Sequence, residues 1–198
     1  MMRILSGAAV LGFTVLASAN VAAQETSEMA NKTPVQFGVL GGVSFPTSGF
    51  KDLVKTGWHA GALVNLGFAN LPVGLRIDGQ WHQFGLKPEV FGSAASGEHL
   101  RDLHGTADAV FNVGSGKAVK FYLLGGVGVY NFKTSGTGAS SATKFGLNGG
   151  GGFKFNVGSL SPFVEARYHY VFLKGNDFSN NSSNPKFQMV PISVGLTF

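Results

Sequence analysis

The 198-residue chain contains no cysteine, which excludes disulfides and thiolate metal sites outright. Charge is also scarce: Asp, Glu, Lys and Arg make up 13% of the residues, against about 25% in typical globular proteins. Scarce charge beside 30 Gly and 18 Phe does not suit a water-facing helical domain. The 15 basic and 10 acidic residues are scattered rather than gathered in runs, so no electrostatic footprint for nucleic acid is present. After the first two dozen residues, no stretch approaches 18 consecutive apolar residues, which excludes a transmembrane helix. The glycine run Gly149 to Gly152 is not a phosphate loop, because no Gly-Lys-Ser/Thr follows it.

What is present begins with a secretory signal over residues 1–23. Arg3 supplies the positive end, Ala8 to Leu16 the short apolar stretch, and Val21-Ala22-Ala23 the small residues at the expected cleavage point. Residues 24–34 are polar and aperiodic and read as a flexible periplasmic lead-in. Residues 35–198 carry eight segments in which apolar side chains recur at every second position, the signature of a strand with two unlike faces. They run Val35 to Phe45, Trp58 to Phe68, Val73 to Phe84, Leu100 to Val113, Val119 to Phe132, Thr143 to Val157, Pro162 to Phe172 and Lys186 to Phe198. Each meets the roughly 9–11 residues that a tilted membrane-crossing strand needs. Long polar connections alternate with tight turns, and an even strand count puts both termini on the short-turn side.

Charge placement decides which face is wet. Arg76, Asp78, Asp102, Asp108, Lys120, Lys144, Lys154, Glu165 and Arg167 all fall on the polar face, and the other face is almost purely apolar. Aromatics of the apolar face collect near segment ends, as in two interfacial girdles. A soluble barrel would show many more charges outside. The pattern therefore predicts an all-β fold: an eight-stranded antiparallel up-and-down transmembrane β-barrel, with lipid outside and a polar, narrow lumen.

Three stretches carry a family resemblance: LLGGVGVY (Leu123 to Tyr130), PFVEARYHY (Pro162 to Tyr170) and VPISVGLTF (Val190 to Phe198). Their order, behind a secretory signal and before a terminal Phe, resembles the small outer-membrane β-barrel family of opacity-type proteins and OmpA-type transmembrane domains. The resemblance implies export to the bacterial outer membrane, with outer-membrane lipid and lipopolysaccharide, the barrel-assembly machinery and an unidentified external ligand at four surface loops as partners. It also implies that Phe198, Leu196 and Val194 act as the assembly signal. No peptidoglycan-binding domain is expected after Phe198.

The candidate site is a lumenal charge network of Arg76, Asp78, Asp108, Lys154, Glu165 and Arg167. Unpaired charge in a narrow lumen is costly, so these six are expected to form ion pairs. That arrangement makes a salt-bridged plug; the alternative is a narrow gated ion channel. Inward His59, His82, His104 and His169 are expected to hydrogen-bond within the lumen rather than hold a metal, because His59 and His169 lie on well separated strands. A lipid-modifying enzyme would need Ser, His and a carboxylate on the lipid-facing surface. His169 and Glu165 point inward, so no catalytic residue and no cofactor is expected. Pro191 is expected to sit in a bulge. The run Gly149 to Gly152 is expected to relieve crowding by Tyr122 or Tyr130, and Ser179 to Asn184 to form an external loop tip.

Overall fold

The computed structural model describes residues 35–68, 71–92, 97–113, 118–135, 141–172 and 187–198. The expected signal, lead-in and Ser179 to Asn184 tip lie outside the described residues. Period-two patterning is realised as eight strands: β1 (Val35–Thr47), β2 (Gly57–Gly67), β3 (Val73–Gly85), β4 (His99–Val113), β5 (Val119–Thr134), β6 (Ser141–Phe155), β7 (Ser161–Val171) and β8 (Phe187–Thr197). Every boundary falls within two residues of the position read from alternation. The sheet is a closed barrel in sequence order. Antiparallel pairing of β1 with β8 makes the seam, with Val39 opposite Leu196 and Gly41 opposite Val194. Phe198 extends the seam by exchanging backbone hydrogen bonds with Phe37 at 2.9 and 3.1 Å.

The two faces fall as charge placement predicts. Outward positions are exposed and apolar, among them Val39, Ile77, Leu103, Val127, Leu147 and Val194. Exposed aromatics gather at both ends. Trp58, Trp81 and Phe172 lie toward the end that carries the β1–β2, β3–β4, β5–β6 and β7–β8 connections. Phe37, Phe111 and Phe198 lie toward the end that carries both termini. No helix among the described residues is long and apolar enough to cross a membrane. A surface this apolar is stable only against hydrocarbon, and a closed barrel leaves no open strand edge there.

Two short helices, α1 (Phe50–Leu53) and α2 (Pro88–Phe91), lie in the β1–β2 and β3–β4 connections, which alternation marks only as long and polar. Pro191 corrects another expectation, since it makes no bulge. Ser44 stands opposite Pro191 in an unbroken β1–β8 register. On the other side Ala166 pairs with Ile192 and His169 with Met189, the same register, with the ladder interrupted only in between. The strand thus accommodates the missing proline donor by omitting bonds toward β7, not by inserting a residue. The glycine run meets its expectation in part. A Cβ on Gly152 would lie 2.6 Å from the Tyr122 hydroxyl, so that ring does lie across the run; Tyr130 lies instead across Gly146, with a Cβ distance of 2.8 Å.

Candidate functional site in the barrel lumen

Inward residues at every second strand position stack into four levels. At the end carrying the termini lies a cavity of about 250 Å³, lined by Gln36, Asn65, Arg76, Lys120, Tyr122 and Lys154 among others, with no carboxylate in its wall. Lys154 Nζ donates to Gln36 Oε1 at 2.7 Å. This departs from the expectation that all six network charges form ion pairs: Lys154 has no carboxylate partner among the described residues. The half-buried ammonium borders the cavity, where partial solvation lowers the cost of an unpaired charge.

The second level is ionic. Arg167, on β7, donates from Nη2 to Glu165 Oε1 at 2.7 Å, and from Nη1 to Asp78 Oδ2 at 2.9 Å and Asp108 Oδ2 at 3.1 Å. Nη1 also reaches Thr106 Oγ1 at 3.2 Å, and that hydroxyl donates onward to Asp108. Arg76 Nη1 donates to the other oxygen of Glu165 at 2.5 Å, and its Nε to Asn65 Oδ1 at 2.8 Å. The Tyr122 hydroxyl donates to the same Glu165 oxygen at 2.7 Å. Arg76 lies 5.2 Å from the Tyr122 ring centroid and 5.6 Å from that of Phe163, a cation enclosed by aromatic faces. Five of the six predicted network residues therefore meet in one connected cluster, all buried. The row Arg76, Asp78, Gln80 on β3 and the row Glu165, Arg167, His169 on β7 are each the product of period-two spacing. In an eight-stranded ring, β3 and β7 are opposite walls.

Above the ions all four inward histidines form a continuous stack. Ring centroids are 4.8 Å apart for His59–His82, 4.7 Å for His82–His104 and 5.1 Å for His104–His169. The expectation that His59 and His169 are too separated to belong to one cluster is corrected here: register aligns His59 with His82 and Gln80 with His104, and the intervening rings bridge the gap. Small inward residues make room. A Cβ on Gly42 would meet His59 at 3.0 Å and the Ile192 carbonyl oxygen at 2.0 Å.

Hydrogen bonding assigns direction to part of this stack. Gln80 Nε2 donates to Asp78, which leaves Gln80 Oε1 to accept from His82 Nε2 at 3.2 Å. A neutral His82 then accepts at Nδ1 from Ser44 Oγ at 2.7 Å. Ser44 has one proton, so His59 Nδ1 donates to Ser44 at 2.9 Å and His59 Nε2 accepts from Ser193 Oγ at 2.8 Å. A one-way chain thus runs from Ser193 through two histidines to the ionic level. His104 Nδ1 bonds Asp102 Oδ2 at 2.8 Å, and His169 Nδ1 lies 2.8 Å from the Tyr130 hydroxyl.

The fourth level is an apolar cap that alternation reading missed. Phe84, Phe132, Phe187 and Met189 point inward and are buried, and α1 brings Phe50 onto them. Ring centroids lie 4.0 Å apart for Phe50–Phe187 and 4.3 Å for Phe132–Phe187. Phe84 and Phe132 share strand parity with inward charges, and Phe187 with inward Ser193, so the signal was available.

A closed barrel with an apolar exterior and ions within is an integral membrane β-barrel. The chain belongs to the outer membrane protein beta-barrel domain family, whose model matches residues 9–198. Membership places it in the outer membrane. Solved structures agree in fold. Neisserial surface protein A superposes with a TM-score of 0.60 at 14% identity, covering 82% of this chain and 95% of that one. A major outer membrane protein of Thermus thermophilus gives 0.57 at 14% identity, over 83% and 98%. The N-terminal barrel domain of Pseudomonas aeruginosa OprF gives 0.51 at 13% identity, over 85% and 100%. By sequence, no protein of curated description matches the chain.

Proposed function

We propose that this protein is a plugged outer-membrane barrel that serves envelope structure or surface interaction through four external loops. The observation that carries the reading is the Arg167 guanidinium on β7 bonded to Asp78 on β3, a strut between opposite walls. The apolar cap above it supports the same reading, since eight strands leave a lumen only wide enough for side chains to fill. The loops on the capped end then carry the contacts with the outside. In this reading the signal is removed near Ala23, and the assembly machinery reads Phe198, Leu196 and Val194.

Lipopolysaccharide is the first partner proposed. Arg101 and Lys133 stand directly opposite each other on β4 and β5, both exposed and outward at the capped end. Like charges so placed repel unless an anion lies between them, and Arg101 is held 5.6 Å from the centroid of the girdle residue Trp81. Lipid phosphate supplies that anion.

The second reading is a narrow gated ion channel, favoured by the carboxylate-free cavity beneath Arg76, which forms a ready mouth. Single-channel recording of the refolded protein in a planar bilayer separates the two. A silent bilayer supports the plug. Discrete openings that change in Glu165→Ala would transfer the function to the ionic level.

A further inference from the structure

The histidine level holds buried atoms without partners. His104 Nε2, His169 Nε2 and Asp102 Oδ1 are all buried and make no hydrogen bond among the described residues. Leaving such groups bare costs about 1–3 kcal/mol each. They are not scattered: His104 and His169 are neighbouring rings, and His82, Asp102 and His104 each offer a ligand atom, all within 4.8 Å of one another.

A second observation is the charge of the buried lumen. Among the described residues, Arg76 and Arg167 are its buried cations, while Asp78, Asp102, Asp108 and Glu165 are its buried carboxylates. The buried carboxylates thus outnumber the buried arginines four to two. The arginines engage Asp78, Asp108 and Glu165. Asp102 lies apart from them, paired with His104.

We propose that this level is a binding site for one divalent transition-metal ion, held by His82 and His104, with His169 beside them as a further ligand and Asp102 orienting His104 from the far side of its ring. Imidazole nitrogens, with no thiolate, suit zinc, nickel or copper. Asp102 holding His104 by Nδ1 orients the ring and leaves Nε2 as the bare donor, the usual arrangement of a metal-bound histidine. His82 joins by releasing its long 3.2 Å bond to Gln80. Its proton then belongs on Nδ1, donated to Ser44. Ser44 turns its own proton to His59 Nδ1, and His59 Nε2 donates to Ser193. Exchange of both imidazoles to their other tautomer, with rotation of two hydroxyls, reverses the chain and keeps its Ser44 and Ser193 contacts.

The cap above and the ions below enclose the site, so the ion enters during folding. Untagged protein is therefore refolded into detergent with zinc sulfate or with EDTA, passed over a chelating resin and assayed for metal. Folding of every sample is verified by heat-modifiable gel migration. Wild type refolded with zinc should retain about one equivalent per chain. His104→Gln and His169→Gln should each retain much less, and Asp102→Asn should lower affinity roughly 10- to 100-fold. His99→Gln, at the strand rim, should match wild type. Copper-loaded protein should show nitrogen hyperfine splitting that His104→Gln diminishes. Wild type holding no more zinc than the EDTA sample would overturn the proposal, as would undiminished retention in folded His104→Gln and His169→Gln.

Discussion

Arg167 on β7 and Asp78 on β3 meet at 2.9 Å across the lumen, joining opposite walls of the barrel. The same guanidinium engages Glu165 beside it and Asp108 on β4. Glu165 in turn holds Arg76, so that one carboxylate is shared between two cations.

Removing that shared carboxylate should be costly. Glu165→Ala takes from Arg76 the carboxylate it is paired with and deprives Arg167 of one of three. Breaking a buried pair from one side costs about 3–5 kcal/mol. Unfolding in urea, followed by gel mobility, should show the loss; a midpoint equal to wild type would mean that the ions do not fasten the walls.

The outward face should behave in the opposite sense. Ile77 is 51% exposed between inward Arg76 and Asp78. Ile77→Arg places a charge in hydrocarbon near the strand's middle and should destabilise by about 2–4 kcal/mol. Refolding yield and midpoint in lipid vesicles measure it. A neutral result there would reverse the assignment of faces.

Glycines of the barrel wall divide into two kinds. A Cβ at Gly150 would lie 2.2 Å from the Ala166 carbonyl oxygen, and backbone cannot step aside. Gly150→Ala should therefore destabilise, by about 1–3 kcal/mol as in other overpacked sites. At Gly79 the nearest atom is 4.0 Å away, and Gly79→Ala should fold as wild type. Parallel melts of the two variants test the close approach of strands β6 and β7.

Phe198 has a backbone role and a side-chain role that can be separated. Phe198→Ala keeps the two hydrogen bonds with Phe37 while deleting the exposed ring. Stability in vitro should change little, whereas the amount of folded protein in the outer membrane of cells should fall. Equal amounts in cells would remove the ring from the assembly signal.

The barrel was legible in the sequence because one rule, period two, governs every strand and one discriminator, charge, separates the faces. The ionic level followed from the same parity: Arg76, Asp78, Asp108, Glu165 and Arg167 could only point inward together. What parity cannot supply is height. His59 and His169 stand three strands apart around the ring, and only register places their rings at one level with His82 and His104 between them. Lys154 was assigned an ion pair because its face was known and its solvation was not. The cap illustrates a different failure. Phe84, Phe132 and Phe187 announce an inward position by parity, but aromatics in such a barrel are expected at the lipid girdles. Phe50 lies on a connection, where no periodicity exists to place it.

Burying the ionic level beneath an apolar cap has a consequence for how the molecule meets its surroundings. Mobile ions weaken attraction between exposed charges over a Debye length of about 8 Å at physiological ionic strength, but they must reach the charges to do so. Arg167, Glu165 and Asp78 are each about 2% exposed or less at their side chains. Brine, tide or a concentrating medium should pass the barrel by: fastened by ions, it is indifferent to electrolyte.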